Sequence, residues 1–150
     1  MILFLIYNIG MGNAPSSIKI NYEDVSYAIK NKENYLLINT LSANEQECLL
    51  PNTVDINKEE ILLNDLMAKY NKDVNIILYG KNQNDDTIYA KEKQLTSLGF
   101  SNVYIYTGGL FEWLMLQDIF GEDEFPTTSK VLDFLIYKPN KRLGLKLLDY

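Results

Sequence analysis

The sequence contains no histidine. That absence excludes a Ser-His-Asp or Cys-His triad, a histidine general base and every zinc site that needs an imidazole ligand. Cysteine is almost as scarce. The single thiol, Cys48, allows no internal disulfide, no CxxC redox pair and no Cys-rich zinc site. Arginine occurs once, at Arg142, beside thirteen lysines. Positive charge as a whole is short: 14 basic against 20 acidic residues leave a net charge of −6, so nucleic acid is not an expected partner. No apolar run reaches the ~20 residues of a bilayer-spanning helix. The opening Met1–Tyr7 is apolar, but it lacks the basic flank and the small-residue cleavage site of a secretory signal. These absences point to a cytoplasmic protein without a metal or other cofactor.

What remains is an ordinary globular composition. The length of 150 residues suits one domain, with 47% apolar and 23% charged residues. Abundant lysine, asparagine and isoleucine fit an AT-biased genome, such as that of a giant virus or a protist.

Residues 11–17 read Met11-Gly12-Asn13-Ala14-Pro15-Ser16-Ser17. With translation starting at Met11, this is the N-myristoylation pattern, and Gly12 becomes the acylated terminus. With translation starting at Met1, the same stretch is a flexible linker.

From residue 18 the pattern alternates between strand and helix. Ile18–Ile20 reads as a short strand, and Asn21 with Asp24 forms a capping box for the helix carrying Val25, Ala28 and Ile29. Tyr35–Ile38 is a continuous apolar run, as in a strand buried on both faces. Thr53–Ile56 reads as another strand. Asn57 then caps a helix whose apolar positions are Ile61, Leu62, Leu66, Met67 and Tyr70. Val74–Tyr79 is the strongest strand. The polar loop Gly80-Lys81-Asn82-Gln83-Asn84-Asp85-Asp86 leads from it into a helix of about 87–98, stopped by Gly99. Val103–Tyr106 is the last strand. Gly108 and Gly109 open a helix through Trp113, and a final helix is expected near 129–137.

This alternation predicts an α/β fold: a mostly parallel sheet of about five strands with helices on both faces. In such sheets ligands sit beyond the carboxyl ends of the strands, which makes the loop Gly80–Asp86 the default site. Asp85 and Asp86 read as caps of the helix that follows.

On its residues the chain resembles the rhodanese-like family. The resemblance rests on the strand Ile76–Tyr79 before a tight loop, on Leu98-Gly-Phe-Ser-Asn-Val103, and on Gly108-Gly109-Leu-Phe-Glu-Trp113. Leu36–Leu41 and Leu49–Thr53 resemble the family's upstream strand and turn. It covers about residues 18–126, which leaves 1–17 as an apolar start and linker and 127–150 as a C-terminal helix and tail. The resemblance implies a loop that holds an anion, opened by a cysteine that carries sulfur as a persulfide. Here that position is Gly80. Asn39, Leu41 and Leu49 stand where the family has Asp, Arg and His, and Asp85 and Asp86 stand where a cation is common. Two carboxylates there imply an anion site that has been lost.

These departures predict a catalytically inactive module that binds a protein partner. The alternatives are a sulfurtransferase using Cys48 or a remodelled loop, and a structural or virion-associated scaffold. Cys48 has no basic neighbour in sequence to activate it and reads as a small buried hydrophobe. Gly108 and Gly109 read as backbone devices and Trp113 as core. The tail carries Lys138, Lys141, Arg142 and Lys146 among leucines. It reads as an arm on the domain, or as a basic second signal beside a lipid anchor at a membrane surface.

Overall fold

The computed structural model describes residues 17–145. Four strands form one sheet: β1 (Ile18–Ile20), β2 (Tyr35–Asn39), β3 (Asn75–Tyr79) and β4 (Asn102–Tyr106). The helices are α1 (Tyr22–Lys30), α2 (Ile56–Ala68), α3 (Thr87–Ser97) and α4 (Gly109–Phe120). The sheet order is β1-β4-β3-β2 and every pair is parallel. Leu37 lies opposite Ile77, and Ile77 opposite Tyr104.

The apolar runs of β2 and β3 follow from burial on both sides of a parallel sheet. Side chains alternate between the faces. Leu37, Ile77 and Tyr79 join Val25 and Ala28 of α1 and Leu110, Trp113 and Leu114 of α4 in one core. Ile38, Ile76 and Leu78 join Leu63 of α2 and Leu95 of α3 in the other. Asn21 and Asp24 form the expected capping box, with bonds of 3.0 and 3.1 Å.

Among the described residues the sheet has four strands rather than about five. Thr53–Ile56 contributes only a bridge from Thr53 to Leu37 and one bond from Val54 N to Leu37 O at 2.8 Å. Two polar side chains end it. Thr53 turns its hydroxyl to Leu50 O and the Tyr79 hydroxyl, both at 2.7 Å. Asp55, not Asn57, caps α2 by accepting from Asn57 N at 2.8 Å. The helix therefore starts at Ile56, and its buried residue is Leu63. Ile61 and Tyr70 face water, and Tyr70 lies past the helix end with φ of 56°.

The expected helix over 129–137 is a single 3-10 turn, Phe134–Tyr137. The backbone just before it is committed elsewhere. Thr128 N donates to Leu49 O at 2.9 Å, and Leu49 N donates to Thr128 Oγ1 at 3.0 Å. Leu132 is 97% exposed, while Val131 and Phe134 on either side of it pack against the core.

Tyr79 links β3 to the 50–53 turn. Its buried hydroxyl accepts from Leu50 N at 3.1 Å, and burial raises its pKa well above the usual phenol range. Tyr79→Phe leaves the Leu50 amide without its partner. A loss of about 1–3 kcal/mol in urea unfolding is expected, with little change in m-value.

Candidate functional site

The carboxyl end of β3 runs into the loop Gly80–Asp86, and beside it lies the turn after β2. Thr40 N donates to Tyr79 O at 3.0 Å and holds the two together. Between them and residues 136–142 an open cleft of about 410 Å³ is found. Its walls carry Thr40, Ser42 and Glu45 from the first turn and Lys81, Asn82, Asn84, Asp85 and Thr87 from the loop and α3. Ile136, Lys138, Asn140 and Arg142 close the third side.

Asp85 organises the loop. Its Oδ2 accepts from Lys81 N at 2.8 Å, while its Oδ1 accepts from Thr87 N at 3.0 Å and from the Thr87 hydroxyl. The carboxylate thus lies inside the loop on two backbone amides. Asp86, expected as a cap, makes no capping bond. It sits at the cap position with helical angles (φ −78°, ψ −9°), whereas a capping side chain needs an extended backbone. Asp85 satisfies the α3 amide instead.

Gly80 has little room for a side chain. A Cβ there would stand 2.5 Å from Asp85 Oδ2 and 3.0 Å from Thr40 Oγ1. Asp85 fills the space into which a residue at 80 would project. Gly109 explains its own place in the same way. Its φ is +67°, and a Cβ would fall 2.9 Å from each of Asn82 N, Gly80 O and Lys81 C. The α4 amides of Leu110 and Phe111 donate to Gly80 O and Lys81 O at 3.0 and 2.9 Å. The loop therefore lies directly on the start of α4.

Two further loop residues, Lys81 and Asn82, have structural partners. Buried Asn82 donates through Nδ2 to Tyr137 O at 2.9 Å and accepts from Asn84 N at 2.9 Å. Lys81 pairs with Glu45 Oε2 at 2.7 Å. That lysine, and then the Ser42 hydroxyl, hold the Glu45 carboxyl below its ordinary pKa. Gln83 is exposed.

Asn39 and Gln46 exchange amide bonds at 3.0 and 2.8 Å, and Asn39 Oδ1 accepts from Leu41 N at 3.0 Å. Leu41 itself is buried. Cys48 is buried in the core below, with its thiol 3.4 Å from Ser129 O, and burial raises its pKa. Trp113 is fully buried. Lys138 and Arg142 reach the cleft, Lys141 is exposed elsewhere, and Gly12 and Lys146 lie outside the described residues.

Sequence reading missed Thr40, Ser42, Glu45, Thr87, Ile136 and Asn140 as cleft residues. The signal for the first three was their position just past the carboxyl end of β2, where crevices of parallel sheets lie. Among the described residues no cluster of three or more acidic or thiol side chains could hold a metal ion. No described helix is long and apolar enough to cross a membrane.

A parallel sheet flanked by helices, with a tight loop between β3 and α3, places the chain in the α/β class of domains. Within that class, the chain matches the profile of the rhodanese-like domain family over residues 23–116, more than half its length. It belongs to that family.

Solved structures show the same fold. One is Saccharomyces cerevisiae Ygr203w, a homolog of single-domain rhodanese and Cdc25 phosphatase catalytic domain (14% identity, 77% of this chain and 89% of that one, TM-score 0.54). A protein from Lactobacillus plantarum aligns at 15% identity over 77% and 92% of the two chains (TM-score 0.52). The Alr3790 protein from Anabaena aligns at 17% over 75% and 82% (TM-score 0.51). No curated protein matches.

Proposed function

We propose that this chain is a rhodanese-like module without group-transfer chemistry at the family loop, serving as a protein-interaction or scaffold unit. The observation that carries this reading is Asp85. Its carboxylate takes loop amides directly beside Gly80, so the loop is supplied with an anion of its own. An incoming anion about 4 Å away would be repelled by about 4 kcal/mol at an effective dielectric near 20. The residue at 80 offers no nucleophile. Cys48, the alternative nucleophile, is buried with a raised pKa, the reverse of an activated thiol.

The test is sulfur transfer from thiosulfate to cyanide. The wild-type chain is expected to show none above background. Transfer that disappears in Cys48→Ala would overturn the proposal in favour of an enzyme. Gly80→Cys alone is also expected to be inactive, because the new thiolate would face Asp85. Gly80→Cys with Asp85→Ala is expected to attack the outer sulfur of thiosulfate, break its S–S bond and release sulfite, leaving a persulfide on residue 80 detected as a mass increase of one sulfur.

Lipid anchoring belongs to the same proposal and rests on the sequence around Gly12. The N-terminal mass of the chain expressed from its full reading frame in eukaryotic cells tests it. A fourteen-carbon acyl group on Gly12 is the expected result, and an unmodified Met1 removes the anchor.

A further inference from the structure

On the face away from α2 and α3, a second groove of about 590 Å³ runs between α1 and the acidic turn at 121–126. It is the more apolar of the two surfaces described. Tyr22, Tyr27, Ile29, Phe125 and Pro126 line it, and Tyr27 is 61% exposed. Half-open aromatic surfaces of this kind supply most of the energy at protein contacts, because a ring contributes large area at small entropic cost. Glu23, Asp123 and Glu124 stand on its rim against one cation, Lys30. None of the three carboxylates makes an ion pair among the described residues. The groove therefore fits a segment that is apolar on one side and basic on the other.

This chain carries such a segment. Residues 141–150 hold three basic residues, Lys141, Arg142 and Lys146, against one acid, Asp149, interleaved with leucines at 143, 145, 147 and 148. Leu143 is 83% exposed and Leu145 57% exposed, so their own domain does not cover them. Arg142 lines the cleft after β3, so the described part of the tail begins on a different surface from the groove. We propose that the groove receives the C-terminal segment, residues 141–150, of a second copy of the chain, and that two copies exchange these segments reciprocally. Reciprocal exchange closes the assembly as a two-fold dimer and leaves no open docking site for growth. The proposal goes beyond the interaction role above and does not depend on the loop being inactive.

Sedimentation of the full chain over about 1–500 µM tests it, since mass action makes a reversible dimer concentration-dependent. A monomer–dimer equilibrium that weakens with salt is expected. Two charge reversals at exposed positions probe the two halves: Lys141→Glu/Arg142→Glu/Lys146→Glu in the tail, and Asp123→Lys/Glu124→Lys at the groove. Each alone is expected to dimerise roughly tenfold more weakly or worse, because like charges then meet. An equimolar mixture of the two variants is expected to recover the dimer, since each tail again meets a groove of opposite sign. A chain that stays monomeric throughout overturns the proposal. So does a dimer that neither reversal weakens, or a mixture that fails to recover. Circular dichroism checks that both variants are folded. Leu143→Ser/Leu145→Ser repeats the test through the apolar contact and is expected to weaken the dimer without changing its salt dependence.

Discussion

Trp113→Ala is expected to leave most of the chain unfolded or close to it at 25 °C. The indole is fully buried where α4, β4 and the 121–126 turn meet. It meets Phe125 edge-on at 5.1 Å and Tyr106 at 6.4 Å, and its Nε1 donates to Pro126 O at 2.9 Å. Deleting a buried tryptophan costs about 3–5 kcal/mol through lost transfer energy and the cavity left behind. Edge-to-face aromatic pairs add about 0.5–1.5 kcal/mol each. A domain of this size has only about 5–15 kcal/mol in total. Trp113→Phe keeps one ring for Tyr106 and Phe125 to pack against and loses the bond to Pro126, so a smaller loss of about 1–3 kcal/mol is expected. Far-UV circular dichroism against urea separates the two. A Trp113→Ala chain as stable as wild type would show that the turn and α4 do not depend on this side chain.

Gly109→Ala is expected to cost about 2–4 kcal/mol, a large effect for a single methyl group. Two causes add. Alanine at φ +67° carries the steric penalty of a left-handed residue, about 1–2 kcal/mol. Its methyl also meets three backbone atoms at 2.9 Å, and backbone cannot swing away as a flexible side chain can. Relief requires the 80–82 loop to lift from α4, which breaks the bonds from Leu110 N and Phe111 N. Amide exchange of Leu110 and Phe111 is therefore expected to accelerate more than exchange in β2. Gly108→Ala is the control. Its φ of −63° suits any residue, and the contact at 2.5 Å is with the end of the Glu112 side chain, which can turn away at the cost of the bond it accepts from the Tyr106 hydroxyl. A loss of about 0.5–1.5 kcal/mol is expected there, that of one hydrogen bond and smaller than the backbone effect. Equal losses at 108 and 109 would show that the left-handed backbone and the loop contact are not the cause.

Elements with strong local chemistry were legible in the sequence. The apolar runs of β2 and β3 are readable because a strand covered on both faces has no polar side to disguise it. The start of α1 is readable because Asn21 and Asp24 satisfy each other's backbone within four residues. Thr53–Ile56 misleads because its β-branched residues favour a strand, while Thr53 and Asp55 use their polar side chains to stop one. The expected helix over 129–137 fails for a long-range reason. Thr128 and Ser129 are bound to residues 47–49, some eighty positions away, and no local pattern reveals that.

The site divides along the same line. Sequence by itself determined that residue 80 is a glycine, that these 150 residues hold no imidazole, and that the loop ends in two carboxylates, Asp85 and Asp86. These are statements of identity and order, and chain order carries them. Tertiary structure alone decided that Asp85 turns inward onto the Lys81 and Thr87 amides while Asp86 does not. It alone brought Lys138 and Arg142 to the cleft and paired Lys81 with Glu45. Which carboxylate enters the loop depends on backbone angles at its end. Which cations reach it depends on where a segment fifty residues later is pinned, by Asn82 on the Tyr137 carbonyl. Such contacts join elements that are distant in the chain, and they exist only once both have been placed by burial of the two cores.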